Sequence, residues 1–203
     1  MKITIISGSQ RPGSNSARVG DLAEAYLKEP NKGCDTFHLK LENHPLPMWD
    51  DSFWKQDSQL KKLWQPIQME LSDCDALVVI TPEWHGMASP ALKNFFLYCD
   101  NKCIAHKPAL LISVSTGIGG SYPINEMRIS SYKNSRLCYI PDHLIIRKVS
   151  DFCSQYENTQ DPIIKESVDR FHYCLDVLQV YSQAFKEIRT SERIAIDQFP
   201  NGL

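Results

Sequence analysis

The stretch Ser7-Gly8-Ser9-Gln10-Arg11-Pro12-Gly13-Ser14-Asn15-Ser16 carries the most evident chemistry in the chain. Its serines offer hydroxyl donors, and Arg11 offers a forked guanidinium that suits the oxygens of a phosphate. Gly8 and Gly13 let the backbone fold tightly around a ligand. An amphipathic segment follows, with Val19, Leu22, Ala23, Tyr26 and Leu27 at helical spacing. Free backbone N–H groups at the start of a helix favour an anion. A plain helix cap needs only one such residue. The density of donors here reads instead as an anion cradle. It lacks the Gly-Lys-Ser/Thr ending of a Walker loop and the Gly-x-Gly-x-x-Gly dinucleotide fingerprint. Neither a nucleoside triphosphate nor tightly held NAD is therefore expected on it.

Two further loops have the same small, polar character: Pro82-Glu83-Trp84-His85-Gly86-Met87-Ala88-Ser89, and Ser115-Thr116-Gly117-Ile118-Gly119-Gly120. His85 could donate to a bound anion, or be an exposed loop residue with no duty. No acid–base pair and no activated nucleophile stands out, so no catalytic side chain is assigned. Cys99-x-x-x-Cys103-x-x-His106 has no fourth ligand nearby, as a structural zinc site would need, and no metal is expected.

Each of these loops must be held by what flanks it. Ile3 to Ile6, Ala76 to Thr81 and Ala109 to Ser115 are apolar runs with little polar alternation, as in strands buried on both faces. Cys34 to Leu39 predicts a further strand, and His143 to Val149 a fifth. Helices are expected at 17–27, at 59–72 with Leu60, Leu63, Trp64, Ile67 and Leu71 on one stripe, at 91–98, at 124–132 and at 163–188, the last opened by Asp161-Pro162. Strand and helix alternate five times. That implies a parallel sheet with helices on both faces. Trp49, Phe53 and Trp54 lie in a proline-broken stretch from His44 to Trp54. They read equally well as a loop folded on its own core, or as an aromatic flap or subunit contact.

The first loop resembles the phosphate loop of the NADPH-dependent FMN reductases, flavodoxin-like enzymes that include quinone, azo-dye and chromate reductases. Their pattern is Gly-Ser-x-Arg-x-x-Ser-x-Asn. Here Ser16 stands at the asparagine position and Asn15 one residue early, so either is the phosphate-side residue. Pro82-Glu83-Trp84-His85-Gly86 is similar to the family's Pro-Glu-Tyr-Asn-Gly segment beside the flavin ring. The third loop resembles the segment that meets the ring's polar edge. The resemblance covers roughly residues 1 to 150. It implies a three-layer α/β sandwich, a five-stranded parallel sheet of order 2-1-3-4-5. It also implies FMN as cofactor and NADPH or NADH as co-substrate. The cofactor-binding residues it implies are Ser9, Arg11, Ser14, Asn15 and Ser16 from the first loop, Pro82, Glu83, Trp84, His85 and Gly86 from the second, and Ser115, Thr116, Gly117, Gly119 and Gly120 from the third.

Composition narrows the rest. The 203 residues suit one domain, 1–203, and a formal net charge of −2 argues against nucleic acid or an anionic membrane as partner. Seven cysteines without a Cys-x-x-Cys pair, no signal-like N-terminus and no run of membrane-spanning length suggest a cytoplasmic protein with reduced thiols. The expected function is an FMN-dependent NAD(P)H oxidoreductase that reduces a small-molecule acceptor, such as a flavin or quinone, as a homodimer or homotetramer. A one-electron flavodoxin-like carrier and a flavin-binding regulator are the competing readings.

Overall fold

The computed structural model describes residues 1–195, 198 and 199. Strands β1 (Lys2–Ser7), β2 (Asp35–Lys40), β3 (Ala76–Pro82), β4 (Pro108–Val114) and β5 (Cys138–Ile146) form one sheet. Every neighbouring pair is parallel, and the order is β2-β1-β3-β4-β5. All residues of β3 and β4 are buried, as expected of central strands covered on both faces.

Helices α1 (Asn15–Leu27), α6 (Val149–Gln155) and α7 (Pro162–Arg189) cover one face, over Ile3, Ile5, Val78, Ile80, Leu110 and Ile112. Helices α2 (Gln59–Asp73), α3 (Pro90–Tyr98), the short α4 (Asn101–Ile104) and α5 (Ser121–Arg128) cover the other, over Ile6, Leu77, Val79 and Leu111. The period-2 alternation of the strands thus feeds two separate cores. Ser14, Ser58, Ser89, Asp100 and Asp161 each accept a backbone N–H as N-caps, of α1, α2, α3, α4 and α7.

Several boundaries differ from the sequence expectation. The last strand begins at Cys138, not His143, and ends at Ile146 before α6. Pro141 lies within it, which an edge strand tolerates, and the register with β4 shifts between Ala109 and Leu111. Helix α5 starts at Ser121, directly after Gly120 in a left-handed conformation (φ 105°), and stops at Arg128 rather than Tyr132. The strand read at 34–39 runs instead from Asp35 to Lys40. Leu63, placed on the buried stripe of α2, is 55% exposed. Trp49 and Phe53 pack on the core beneath α3, Phe53 edge-on to Tyr98, while Trp54 at the end of a 3-10 turn (Asp51–Trp54) is exposed. Of the polar tail read at 190–203, residues 196, 197 and 200–203 lie outside the described residues.

Candidate functional site

The loops after β1, β3 and β4 meet beyond the carboxyl ends of these strands, where the strand order reverses between β1 and β3. They line a cleft of about 200 Å³. From the first loop it takes Ser9, Arg11, Ser14, Asn15 and Ser16, from the second Pro82, Glu83 and Trp84, and from the third Thr116. Pro12, Gly13, Val114 and Val149 complete the lining. Val149 opens α6, an element for which the periodicity gave no sign.

In the first loop, Gly8 donates its N–H to Ile80 O at 2.8 Å, and its own carbonyl accepts from the Ser89 hydroxyl. A Cβ at Gly8 would lie 2.7 Å from Ile80 O, so only glycine lets this loop close onto β3. Ser9 is buried and its hydroxyl accepts from the Arg11 N–H at 3.2 Å. Ser14 caps α1 through its hydroxyl, and its N–H donates to Glu42 Oε2 at 3.2 Å. The N–H groups of Gly13, Asn15 and Ser16 have no acceptor among the described residues. The Arg11 guanidinium is exposed and has no carboxylate or carbonyl partner among them either. Ser16 Oγ is buried with no hydrogen-bond partner. The Asn15 side chain is engaged instead, receiving a bond from Arg18 and giving one to Ser150 Oγ at 3.3 Å. Three idle amides at a helix start, an idle guanidinium and an orphaned buried hydroxyl are the donor set a phosphate dianion requires.

The second loop is a two-residue hairpin. Trp84 and Met87 exchange backbone bonds at 3.0 and 2.9 Å, and the turn residues His85 and Gly86 have φ of 50° and 74°. Positive φ at both positions favours glycine, and among other residues asparagine, aspartate and histidine, so His85 is accommodated there. His85 and Gly86 lie at the tip, outside the cleft lining. Ala88 N–H donates to Glu126 Oε2 at 2.7 Å, and Lys93 pairs with Glu126 at 2.9 Å, which ties the hairpin to α5.

The third loop contributes mainly through Thr116. Ser115 Oγ contacts Glu83 Oε2 at 3.3 Å and accepts the Gly117 N–H at 3.3 Å. A Cβ at Gly119 would overlap the Glu83 carboxylate. Gly119 therefore acts by letting the second and third loops touch. Ser115, Gly117, Gly119 and Gly120 shape the cleft wall from behind, without lining it. All seven cysteines are free, and burial pushes several thiols up, Cys174 to about 11.

The model of the NADPH-dependent FMN reductase family matches residues 1–151. The chain belongs to that family. Membership makes it an oxidoreductase that works with FMN and a nicotinamide nucleotide as electron donor. An NADPH azoreductase from Bacillus sp. (strain OY1-2) is 25% identical over 193 residues, 93% of this chain and 97% of its own length. An FMN-dependent NADPH-azoreductase from Staphylococcus saprophyticus is 28% identical over 130 residues, 64% of this chain and 68% of its own. Among solved structures, the flavoenzyme FerB from Paracoccus denitrificans superposes with a TM-score of 0.67 at 14% identity, covering 91% of this chain and 98% of FerB. That likeness supports the flavodoxin-like fold of this FMN reductase family member. No helix among the described residues is long and apolar enough to cross a membrane.

Proposed function

We propose that this FMN reductase family member passes hydride from NADPH or NADH, through FMN, to a small acceptor: a flavin, a quinone or an azo compound of the kind its relatives are named for. The observation that carries the reading is the cradle of idle donors at the start of α1, facing loops two and three across one cleft. When bound, FMN supplies the reversible two-electron chemistry. The protein's share is positional. Ser9, Arg11, Ser14, Asn15 and Ser16 hold the phosphate end. Pro82, Glu83, Trp84 and Thr116 would face the ring, with His85 and Gly86 at the hairpin tip and Ser115, Gly117, Gly119 and Gly120 shaping the wall behind them. No side chain has to move a proton for hydride to pass between two rings. The cleft volume falls below the roughly 300–1,000 Å³ of pockets that enclose a whole ligand. One face of the ring then stays open for nicotinamide and, in turn, for the acceptor.

The same reading places the enzyme in the cytoplasm as a homodimer or homotetramer. Its support is the set of free thiols and the exposed Met48 and Trp54, 73% and 68% accessible, in the aromatic segment. The deciding experiment is anaerobic. The FMN-loaded protein is mixed with NADPH or NADH, the flavin absorbance is followed, and a quinone or azo dye is then added. Bleaching, recovery and many turnovers per chain are expected. Reduction by dithionite but by neither nucleotide would leave the electron-carrier reading standing instead.

A further inference from the structure

A second constellation lies outside the cleft, where β2 passes beneath α1. Ser7 Oγ has one proton and donates it to the Ser16 carbonyl at 3.0 Å. Its 2.7 Å contact with His38 Nε2 is therefore one in which the imidazole donates. With the Ser7 proton directed at the Ser16 carbonyl, the neutral tautomer that fits carries its proton on Nε2 and leaves Nδ1 a bare lone pair. That atom makes no hydrogen bond, and the His38 side chain is only 5% exposed. Nδ1 faces Asp21 Oδ1 at 3.2 Å and Glu24 Oε2 at 3.8 Å. Three electron-rich atoms from three side chains thus lie within 4.8 Å of one another. Lys40 and Lys28 offset part of the carboxylate charge, at Asp21 Oδ1 and Glu24 Oε1, but among the described residues no hydrogen bond reaches Nδ1 itself.

We propose that Asp21, Glu24 and His38 form a binding site for a divalent transition-metal ion of the zinc class. One imidazole and two carboxylates are a donor set that zinc and cobalt accept. Metal–ligand bonds of roughly 2.0–2.2 Å put neighbouring ligand atoms roughly 3.0–3.6 Å apart; the 3.2 Å between Nδ1 and Asp21 is in that range, and Glu24 Oε2, 3.8 Å from Nδ1, has to move inward. The second shell is in place as well. A metal-bound histidine usually donates its other N–H to a fixed acceptor, and here the chain runs from Nε2 through Ser7 Oγ to the Ser16 carbonyl. Glu24 Oε1 is held by Lys28 at 2.8 Å and Thr36 at 2.9 Å, which leaves Oε2 turned to the ring. Asp21 is half exposed and provides the entry path. Gly20 completes the seat: a Cβ there would overlap the His38 ring and Ser7 Oγ. This gives a physical reason for a glycine inside a helix, where alanine would otherwise be favoured. The competitor is on the page too. The Lys40 ammonium lies 2.6 Å from Asp21 Oδ1 and must yield as a metal enters.

The test uses the full chain, stripped of metal and then titrated with Co²⁺ by absorbance and Zn²⁺ by calorimetry. One saturable ion per chain is expected, with a cobalt spectrum free of thiolate charge-transfer bands. Asp21→Asn and Glu24→Gln should each weaken binding by about tenfold or more, and Lys40→Met should tighten it. Both carboxylate variants alter partly exposed side chains, so their folding is not at risk as that of a His38 variant is. Three results would overturn the proposal. One is an affinity unchanged in the Asp21→Asn, Glu24→Gln double variant. Another is a cobalt spectrum dominated by thiolate. The third is imidazole nitrogen NMR of the metal-free protein showing His38 Nδ1 protonated at neutral pH, in the neutral or the charged ring, which would mean that a proton already fills the gap.

Discussion

At the amino edge of the sheet, the basic side chains are given partners from within the chain, though Arg189 Nη1 is left without one among the described residues. Lys2 pairs with Glu70 and Asp73 at 2.7 and 2.8 Å, Arg189 pairs with Asp75 at 3.0 Å, and Lys107, 5% exposed, gives its ammonium to the Leu71 and Ser72 carbonyls at the end of α2. At the carboxyl edge the pattern reverses. Arg11 has no partner among the described residues, the amides of Gly13, Asn15 and Ser16 have no acceptor, and Ser16 Oγ is orphaned. Buried polar groups are normally satisfied, so an edge that leaves several donors idle is one whose partner comes from outside the chain. Both edges carry basic residues. Those at the amino edge help hold the fold together, whereas Arg11 at the carboxyl edge does not.

The largest expected effect tests the amino edge. Lys107→Met strips two helix carbonyls of their donor in a buried place, where each unsatisfied group costs about 1–3 kcal/mol. A loss of about 3 kcal/mol of unfolding free energy in urea is expected, with FMN affinity unchanged within about twofold, since distant sites act nearly independently. A large loss of FMN affinity with normal stability would erase the contrast between the edges.

Arg11→Ala tests the other side. Charge-assisted contacts contribute about 1.5–3 kcal/mol, so FMN should bind roughly ten- to a hundredfold more weakly, while riboflavin, which lacks the phosphate, is held as before. Thermal stability without ligand should barely move, because the side chain is exposed and free of partners. Equal losses for FMN and riboflavin would place Arg11 away from the phosphate.

How much of this contrast was legible in the sequence follows from where its signals come from. The apolar runs at 3–6, 76–81 and 109–115 are local and strong, so the central strands and the loops leaving them were readable. Strand β5 was harder, because Pro141 and Asp142 split its short apolar opening, Leu137 to Ile140, from Leu144 to Ile146, and the register shifts there. Helix α6 begins after Lys148 in a left-handed conformation without a side-chain cap, so no start signal announces it. The first loop was readable as an anion site because its donors are contiguous. The amino edge was not, since Lys107 acquires its role only from α2, some 35 residues away in sequence. The same holds for Asp21, Glu24 and His38, which only the pairing of β2 under α1 brings together.

Ser16→Ala refines the contrast at a single atom. A buried hydroxyl without a partner contributes nothing to the ligand-free fold, so stability should hold or rise slightly. If phosphate is what it meets, FMN affinity falls by roughly three- to tenfold, the size of one ordinary hydrogen bond. A drop in ligand-free stability of the same size would show that Ser16 Oγ serves the fold rather than the ligand.

The smallest effect concerns a place where the carboxyl edge is itself braced by charge. Burial pulls the Glu126 carboxyl upward, but its bonds from Lys93 and from the Ala88 N–H outweigh that, and it titrates below the ordinary glutamate range. The depressed folded-state value means the unfolded chain takes up the proton first as pH falls. The stabilisation is therefore complete above about pH 4.5, the ordinary glutamate value, and is lost as pH drops through the lower folded-state value. Glu126 is partly exposed, so the contribution is small, on the scale of a screened surface pair. Wild type and Glu126→Gln should accordingly differ in melting temperature at pH 7 and converge toward pH 3, with the Ala88 amide exchanging faster in the variant at neutral pH. A difference that stays constant across that range would show that the hairpin is held by its own Trp84–Met87 bonds, and that the carboxyl edge needs no ionic brace.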